Sequence, residues 1–447
     1  MQPNHILAAV MPLVMTLVVA GVSAAEPTFG GTATQRPNIV LIVADDLGYG
    51  SLGCYGGRQI RTPAIDRLAA SGIRLTDFHA NGPMCSPTRA ALMTGRYQQR
   101  CAWVDDDELS PPYRVQRRDN PKQRWAWGIS AKEVTLAGVL RQAGYRTALV
   151  GKWHLGYDEA FHPMNRGFDE FRGFIGGAVD YHTHVATHGL HALDWWRDRQ
   201  IEDERGYSTD LLTRYATDFI TRHADGPFFL CLAHAAPHEP LQGRDASRAA
   251  PQPAIYREMI EALDESVGAI IARLDEHEIT RNTIVIFCSD NGPQPPQGRP
   301  AEGPLRGIKG SLLEGGHRVP CIVSWPGTLP ANANCDAAVM TMDLFPTLGR
   351  LGGATTPAGH TLDGVDILPL LDGGSALDAR VMHWRFVDVW AVREGPWKLL
   401  GKLDTPTMLF NLADDLGEKT NLLDMEPQRA SALLSLHQRW TTAVGSR

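Results

Sequence analysis

The sequence predicts an α/β fold with a large, mostly parallel sheet sandwiched by helices and a smaller α+β subdomain at the C-terminus. Short apolar runs alternate with longer helical patterns along most of the chain, which is typical of parallel strands joined by helical crossovers. From about Val381 the pattern changes to short strands separated by turns. We therefore expect a main domain over residues 36–380 and a C-terminal subdomain over 381–447.

Individual elements follow from the residues. The run Asn38–Ala44 is apolar almost without interruption, as in a strand buried on both faces. Thr62 and Pro63 can serve as the cap and first residue of a helix that ends near Gly72. The same reasoning predicts strands over 146–151, 228–233, 283–288 and 319–324, helices over 135–143, 208–223, 254–277 and 427–444, and a long surface loop over 105–127.

The composition is that of an ordinary globular protein. Of 447 residues, 43% are hydrophobic and 21% are charged, which excludes a disordered, collagen-like or coiled-coil chain. Lys and Arg number 43 against 50 Asp and Glu, so the net charge of −7 gives no reason to expect a nucleic-acid partner, and any cationic site must be local. The 7 Cys residues include no CxxC pair, which argues against a zinc module or a disulfide scaffold.

The N-terminus has the pattern of an export signal. Residues 6–20 are almost continuously apolar, and the small residues 22–25 follow as a cleavage pattern. We predict a signal peptide over 1–25 and a periplasmic or extracellular protein, with a membrane anchor as the alternative. No other segment is long and apolar enough to span a bilayer, so we expect no stable membrane insertion.

Polar clusters directly follow four of the predicted strands. Because the carboxyl ends of parallel strands lie at one edge of a sheet, where ligands bind, the four clusters are expected to form one site. They are Asp45-Asp46, Lys152-Trp-His154, His234 to His238, and Asp290-Asn291. Of the two histidines in the third cluster, His234 lies nearer the strand body and is expected to be a buried, hydrogen-bonded side chain, whereas His238 is expected to be functional.

The chemistry of these clusters is consistent. One set offers only oxygen, which suits Ca²⁺ or Mg²⁺ rather than zinc or copper. The other set offers positive or donor groups, which suit an anion placed against that cation. The oxygen set is Asp45, Asp46, Asp290 and Asn291, and the donor set is Lys152, His154 and His238. A metal with Lys and His around an anion indicates transfer of a phosphoryl-like or sulfuryl group.

Cys85 is the candidate nucleophile. Ser86 can cap a helix and Pro87 can begin it, so the sequence places Cys85 just before a helix N-terminus, which attracts anions. Arg89 lies within the first turn. The alternative is a reduced structural Cys beside an ordinary capped helix.

The motifs together resemble a known family. Cys85-Ser-Pro-Thr-Arg89, followed by Leu92-Met-Thr-Gly-Arg96, is similar to the C-x-P-x-R…TGR signature of type I sulfatases, which belong to the alkaline-phosphatase-like superfamily and in which the Cys is oxidised to formylglycine. Asp180-Tyr181 and His238–Gln242 are most similar to arylsulfatase B, an N-acetylgalactosamine-4-sulfatase. The chain also resembles the family in seven further segments, which are Ala44–Tyr49, Gly151–Gly156, Ser289–Gly292, Arg306–Gly316, Ala391–Arg393, Trp397–Leu399 and Leu409–Asp415.

The resemblance implies a role for each site residue. Asp45, Asp46, Asp290 and Asn291 would bind Ca²⁺ together with the modified Cys85. The hydrated formylglycine, a gem-diol, would attack sulfur with one hydroxyl while the alcohol leaves, and its second hydroxyl would expel sulfate. Arg89 would hold the diol, His154 would act as base, Lys152 and Lys309 would bind sulfate oxygens, and His238 or Lys309 would protonate the leaving alcohol. A formylglycine-generating enzyme is the implied partner.

The substrate prediction is a sulfated carbohydrate, with a galacto-configured 4-O-sulfate as the first one to try. Asp180 and His182 are candidate substrate contacts, because four histidines fall within residues 182–191, either as a recognition loop, as an incidental metal site or as a solvated loop. Aromatic and planar side chains such as Trp195 and Trp384 also suit a sugar pocket, the alternative being core packing. Two other functions stay open: a phosphonate monoester or phosphodiester hydrolase of the same superfamily, and a non-catalytic binder of sulfated glycans if Cys85 is unmodified.

Overall fold

The computed structural model describes residues 36–101, 128–188, 191–245, 250–295, 303–373 and 380–445. The predicted signal peptide and the predicted loop over 105–127 lie outside these ranges. Within them, strands and helices alternate as the sequence predicts.

The regular elements, in chain order, are β1 (Asn38–Ala44), α1 (Pro63–Ala70), β2 (Ile73–Leu75), β3 (Phe78–His79), α2 (Cys85–Thr94), α3 (Leu136–Gln142), β4 (Arg146–Lys152), β5 (Glu170–Phe174), β6 (Trp196–Arg197), β7 (Gln200–Ile201), α4 (Ser208–His223), β8 (Phe228–Ala233), α5 (Gln252–Glu276), β9 (Thr283–Ser289), α6 (Glu314–His317), β10 (Cys321–Ser324), β11 (Ala333–Cys335), β12 (Val339–Met340), α7 (Leu344–Leu351), α8 (Leu368–Leu371), β13 (Val381–Phe386), β14 (Val389–Glu394), β15 (Trp397–Lys402), β16 (Thr405–Asn411) and α9 (Pro427–Val444). Short 3₁₀ turns cover Tyr49–Ser51, Gly53–Tyr55, Glu159–Phe161, Pro163–Arg166, Thr280–Asn282 and Thr341–Asp343.

A ten-stranded sheet forms the centre of the molecule, in the order β11-β2-β10-β9-β1-β8-β4-β5-β6-β7. Its five central strands, β9 to β5, are all parallel, whereas β10 and β6 pair antiparallel with their neighbours nearer the centre. The mostly parallel sheet is therefore confirmed.

Helices cover both faces of this sheet, which explains the unbroken apolar runs. In β1, Ile39, Leu41 and Val43 face a core shared with α2, α3 and α7. Val40 and Ile42 face the opposite core, shared with α1, α4 and α5. A strand between two apolar layers needs apolar side chains at every position, so the period-2 alternation of a half-exposed strand is absent.

The C-terminal part forms a separate four-stranded antiparallel sheet, β13-β14-β15-β16. One face packs on α9 through Val392, Leu399 and Leu433. The other face packs against α2 and Met340 of the main part through residues such as Trp384. Both faces of the small sheet are consequently buried.

The helix that carries Cys85 begins two residues earlier than predicted, at Cys85 and not at Pro87. Met84 is extended, with φ −142° and ψ 158°, and Cys85 is the first residue of α2. Ser86 therefore lies inside the first turn and does not cap the helix, which is a correction of the sequence prediction. Pro87 fits the first turn because the N–H groups there have no partner within the helix.

Hydropathy gives no sign of a membrane span in the described part of the chain, since none of its helices is both long and apolar enough to cross a bilayer.

Candidate active site

The four predicted polar clusters meet at one edge of the central sheet. Because β9, β1, β8 and β4 are adjacent, their carboxyl ends lie side by side. Asp45 follows β1, Lys152 ends β4, His238 follows β8 and Asp290 follows β9. We call the group the strand-end cluster, and it also includes Asp46, Cys85, Arg89, His154, Asn291 and Lys309.

Each of three buried carboxylates in this cluster is paired with one basic side chain. None of the three Asp residues is more than 1% exposed. The shortest distances are 2.5 Å from Lys152 Nζ to Asp45 Oδ2, 2.8 Å from Lys309 Nζ to Asp46 Oδ2, and 2.7 Å from Arg89 Nη2 to Asp290 Oδ2. Without a further ion, three negative and three positive groups balance, so a divalent cation would leave a positive site suited to an anionic ester.

The carboxylates repel one another, and this is visible in their pKa values. Burial and the neighbouring charge of Asp45 raise the pKa of Asp290 to about 7. Burial also acts to raise the pKa of Asp45, but Lys152 and His238 hold it well below its usual range. The protein alone therefore does not fully stabilise these negative charges, as expected of ligands arranged around a cation.

Cys85 lies against the carboxylates. Its Sγ is 3.2 Å from Asp45 Oδ1 and 4.0 Å from Asp46 Oδ1. Burial, together with the charges of Asp290 and Asp45, raises the pKa of the Cys85 thiol. Because the thiolate is the nucleophilic form of Cys, an unmodified thiol here is poorly suited to attack.

Arg89 is held by two neighbours. Its Nε and Nη2 donate to Asp290 Oδ2 at 2.9 Å and 2.7 Å, and its Nη1 donates to the carbonyl oxygen of Lys152 at 3.0 Å. Arg89 lies four residues after Cys85 in α2, so the two side chains share one face of the helix.

His154 stands in a left-handed backbone conformation, with φ +56°. Burial, Lys152 and Arg89 lower its pKa well below the usual range, so the imidazole is neutral and able to accept a proton. Gly177 packs directly against this ring, because a Cβ at that position would lie 2.8 Å from His154 Nε2.

The tautomer of His238 follows from its partners. Nδ1 lies 2.6 Å from the carbonyl oxygen of Glu239, which can only accept, so Nδ1 carries the proton. In the neutral ring, Nε2 is then an acceptor and faces Asp46 Oδ2 at 3.7 Å. Burial lowers the pKa of His238, which favours this neutral form. The Tyr181 hydroxyl donates to the carbonyl oxygen of His238 at 2.9 Å.

The donor atoms fit a hard divalent cation. Ligand atoms of Asp45, Asp46, Cys85 and His238 all lie within 4.8 Å of one another. The amide nitrogen of Asn291 donates to Asp46 Oδ1 at 2.7 Å, whereas its buried Oδ1 accepts no hydrogen bond in the described structure. A buried amide oxygen without a donor is costly, and a cation would satisfy it. His238 lies among these ligand atoms, although the sequence analysis did not predict it as a metal ligand.

Asp180 and His182 connect two loops. The Asp180 carboxylate accepts from the backbone N–H of His182 and Thr183 and, at 2.7 Å, from Gln242 Nε2. Burial raises its pKa, but these hydrogen bonds lower it to about 2. His182 Nε2 lies 2.9 Å from the carbonyl oxygen of Gly243. Both side chains thus fix the segment after His238, and their contact with substrate stays a prediction.

Several of the aromatic and His side chains considered in the sequence analysis are core residues. His184 stacks on Trp195 with centroids 3.9 Å apart, and Trp195 is 1% exposed. Trp384 is fully buried and donates to the carbonyl oxygen of Ala80. His234 is buried beside Ser266 Oγ at 2.9 Å, as expected. In the described ranges, no group of metal-ligating side chains includes a histidine of 182–191.

A second buried charged cluster was not predicted. We call it the brace cluster; its members are Asp77, His79, Glu314, His317, Arg393, Lys398 and Glu418. Three of them, His79, Glu314 and His317, have ligand atoms close enough to hold a metal. However, Lys398 Nζ lies 2.8 Å from Glu314 Oε1 and 3.1 Å from His317 Nε2, so an ammonium already occupies the cation position.

The chain matches known proteins over most of its length. The model of the Sulfatase family matches residues 37–354. The chain is 35% identical to the N-acetylgalactosamine-6-sulfatase of Canis lupus familiaris, over 86% of this chain and 74% of that protein. It is 31% identical to the steryl-sulfatase of Mus musculus, over 83% and 70%.

Solved structures have the same fold. The structure of Ps i-CgsB in complex with k-i-k-neocarrahexaose has a TM-score of 0.81 and 31% identity, and the match covers 91% of this chain and 93% of that chain. The phosphonate monoester hydrolase of Agrobacterium radiobacter has a TM-score of 0.64 over 91% and 95%, and its identity of 21% indicates a shared fold alone.

Proposed function

Since the chain belongs to the sulfatase family and is a sulfuric ester hydrolase, we propose that it releases sulfate from a sulfated carbohydrate, with oxidised Cys85 as nucleophile and Ca²⁺ in the strand-end cluster. Mg²⁺ is the alternative ion. The observation that carries this proposal is the position of Cys85, 3.2 Å from Asp45 and at the first residue of α2, one helical turn before Arg89. The proposed nucleophile, cation ligands and anion-binding groups thus belong to one cluster of neighbouring side chains.

The metal would be held by Asp45, Asp46, Asp290 and Asn291, together with the modified Cys85. When bound, Ca²⁺ supplies positive charge for a sulfate oxygen, and formylglycine supplies a hydrated aldehyde as nucleophile and later as leaving group. The unpartnered Asn291 Oδ1 and the repelling carboxylates support this assignment.

The remaining residues bind and move protons. The ammonium groups of Lys152 and Lys309 lie beside Asp45 and Asp46, and this proximity supports a role for both lysines in binding sulfate oxygens. Arg89 orients the nucleophile from a position one helical turn after Cys85. Neutral His154 accepts a proton, and either Lys309 or His238, the latter only after its Nε2 is protonated, donates one to the leaving alcohol.

The substrate is proposed to be a sulfated, galacto-configured sugar, and a 4-O-sulfate is compared first with a 6-O-sulfate. The relatedness to an N-acetylgalactosamine-6-sulfatase and to a structure bound to neocarrahexaose supports a sulfated glycan. Asp180 and His182 border the segment after His238, and we retain them as candidate substrate contacts. The steryl-sulfatase relative makes a steroid sulfate the necessary comparison.

Export and processing belong to the same proposal. Residues 1–25 would be a cleaved signal peptide, residues 36–380 the catalytic domain and 381–447 the C-terminal subdomain, in a periplasmic or extracellular enzyme. A formylglycine-generating enzyme of the host would oxidise Cys85.

A substrate panel tests the proposal. The purified protein is assayed with galactose and N-acetylgalactosamine 4-O- and 6-O-sulfates, a sulfated oligosaccharide, a steroid sulfate, a phosphonate monoester and a phosphodiester. We expect the highest kcat/KM with a sulfated sugar. A preference for the phosphorus esters would instead support the phosphonate monoester or phosphodiester hydrolase. Tight binding of sulfated glycan without turnover would support the non-catalytic binder.

A further inference from the structure

Lys309 lies on a segment that has little apolar anchorage of its own. We call residues 306–318 the Lys309 segment. Gly307 and Gly310 have positive φ angles of +100° and +84°, and Ile308 is 45% exposed. Leu312 is buried and Leu313 packs partly against the same apolar cluster, and both lie on the C-terminal side of Lys309. The position of the Lys309 ammonium therefore depends on the polar contacts that fix this segment.

The backbone of the segment forms a closed loop over the site. The N–H of Lys309 donates to Pro293 at 2.9 Å, and the N–H of Gly310 donates to Pro83 at 2.9 Å. The N–H of Gly315 donates to the carbonyl oxygen of Arg306 at 2.7 Å, so the two ends of the loop meet. Contacts that fix the positions of Arg306 and Glu314 therefore also restrict the position of Lys309.

Residues from the C-terminal part hold both ends. Glu418 Oε2 accepts from the backbone N–H of Glu314 at 2.6 Å, and the carbonyl oxygen of Glu418 accepts from Arg306 Nη1 at 2.6 Å. Lys398, on β15, lies 2.8 Å from Glu314 Oε1 and 3.0 Å from Glu418 Oε1. The side chains of Lys398 and Glu314 are fully buried.

A second connection fixes the far end of the segment. Arg393, on β14, donates twice to the Asp77 carboxylate, at 2.6 Å and 2.9 Å. Asp77 also lies 3.0 Å from Arg318 Nη1, at the end of the segment. The contacts of β14 and β15 thus extend from one end of the Lys309 segment to the other.

Stability alone does not account for buried charges here. Taking Lys398 and two carboxylates out of water carries a desolvation cost that a well-packed apolar set would avoid. Charged groups do, however, fix a geometry more specifically than apolar contacts, because each needs a partner at hydrogen-bond distance. We therefore expect the brace cluster to fix the position of the segments that it joins.

We propose that Lys398 and Glu418 are positioning residues that set the location of the Lys309 ammonium in the active site. The inference rests on the proposed function, because it assigns Lys309 to the sulfate or its leaving group. In this account the C-terminal sheet contributes to catalysis through the Lys309 segment, without touching the substrate.

A double-mutant cycle tests the proposal on an activated aryl sulfate, so that weak variants stay measurable. Glu418→Gln keeps the side-chain size and removes the charge. We expect it to lower kcat/KM about 10- to 100-fold in the wild-type background, as for a displaced catalytic group. In the Lys309→Ala background the same change should lower kcat/KM less than about twofold, because the positioned group is already absent.

Lys402→Met is the matched control. Lys402 lies on the same strand, β15, and pairs with Asp388 at 3.2 Å, but it is exposed and does not touch the Lys309 segment. Its kcat/KM should stay unchanged. If Glu418→Gln does not fold, Arg306→Ala at an exposed position takes its place in the cycle with the same expectation. Equal losses in both backgrounds, or no loss in the wild-type background, would overturn the proposal.

Hydrogen exchange separates this inference from the proposed function. Peptides covering 306–318 should exchange faster in Glu418→Gln than in wild type without any substrate, while peptides from β1 are unchanged. If the wild-type protein hydrolysed no sulfate ester, the proposed function would fail. The exchange result would still show whether Glu418 holds residues 306–318 in place. Unchanged exchange over 306–318 would overturn it.

Discussion

The strand-end cluster and the brace cluster lie on either side of the Lys309 segment, and they balance their buried carboxylates differently. In the strand-end cluster, His238 Nε2 and Asp46 Oδ2 face each other as acceptors, and Asn291 Oδ1 has no donor in the described structure. In the brace cluster, the Lys398 ammonium lies within 3.0 Å of the carboxylates of Glu314 and Glu418.

Both clusters contain basic side chains, but in the strand-end cluster some facing acceptors stay without a donor among the described residues, whereas in the brace cluster one ammonium lies near both carboxylates. Acceptors that face one another in a buried site are stable only around a positive charge. In the strand-end cluster Lys152, Lys309 and Arg89 each pair with one carboxylate, and a cation would satisfy the acceptors that remain. In the brace cluster Lys398 lies near both Glu314 and Glu418. Both clusters contain metal-ligating residues, so the presence of His, Asp and Glu alone does not distinguish them.

The largest expected effect is on the nucleophile. Cys85→Ala should lower turnover of sulfate esters on the order of 10⁴-fold or more, because no other group in the cluster replaces a covalent nucleophile. Thermal unfolding should show a folded protein. Cys101→Ala, which also removes a buried thiol, is the control and should retain activity. Wild-type rates in Cys85→Ala would rule out the assigned nucleophile.

Metal removal should affect only the strand-end cluster. Dialysis against a chelator is expected to lower activity on the order of 100-fold or more, and Ca²⁺ should restore it. Asp45→Ala should lose bound metal by elemental analysis, because one of the facing carboxylates is gone. Glu314→Gln should keep its metal. Metal loss in Glu314→Gln, with full occupancy in Asp45→Ala, would reverse the assignment of the two clusters.

Removing the cation of the brace cluster should lower the free energy of unfolding. Lys398→Met leaves Glu314 and Glu418 buried without their cation, and we expect the free energy of unfolding to fall by about 3–5 kcal/mol. Denaturant unfolding of the metal-loaded protein measures this. Lys402→Met on the same strand should change it by less than about 1 kcal/mol, since exposed ion pairs contribute little. Equal effects of the two changes would contradict the contrast.

The smallest expected effect concerns the close packing around His154. In Gly177→Ala the new Cβ would lie 2.8 Å from His154 Nε2, so the imidazole must move. We expect kcat to fall about tenfold, as for a misplaced proton acceptor, with little change in stability. Gly226→Ala, where nothing lies within 4 Å of the new Cβ, is the control. An unaltered kcat would show that His154 tolerates displacement.

The sequence predicts the strand-end cluster well because its signal is local. Unbroken apolar runs such as β1 identify buried parallel strands, and the residues that follow them, such as Asp45 and Asp290, necessarily lie at one edge. The wrong detail was the start of α2, because Ser86 is a good capping residue by type, whereas the extended backbone of Met84 sets the actual boundary.

The brace cluster could not be predicted in the same way. Lys398 lies between Trp397 and Leu399, and a polar residue on a short antiparallel strand normally faces solvent. It is buried because both faces of the C-terminal sheet are covered, one by α9 and the other by the main part. Likewise, the contact of Asp180 with Gln242 joins residues far apart in sequence. Such contacts depend on tertiary packing, which has no local pattern.

The most direct test of the proposed nucleophile is peptide mass spectrometry of Cys85 on protein that is actively hydrolysing a sulfated sugar. The proposed mechanism predicts formylglycine at Cys85, with the fraction converted proportional to specific activity across preparations, and an unmodified thiol at Cys101. Full activity in protein whose Cys85 is entirely an unmodified thiol would contradict it.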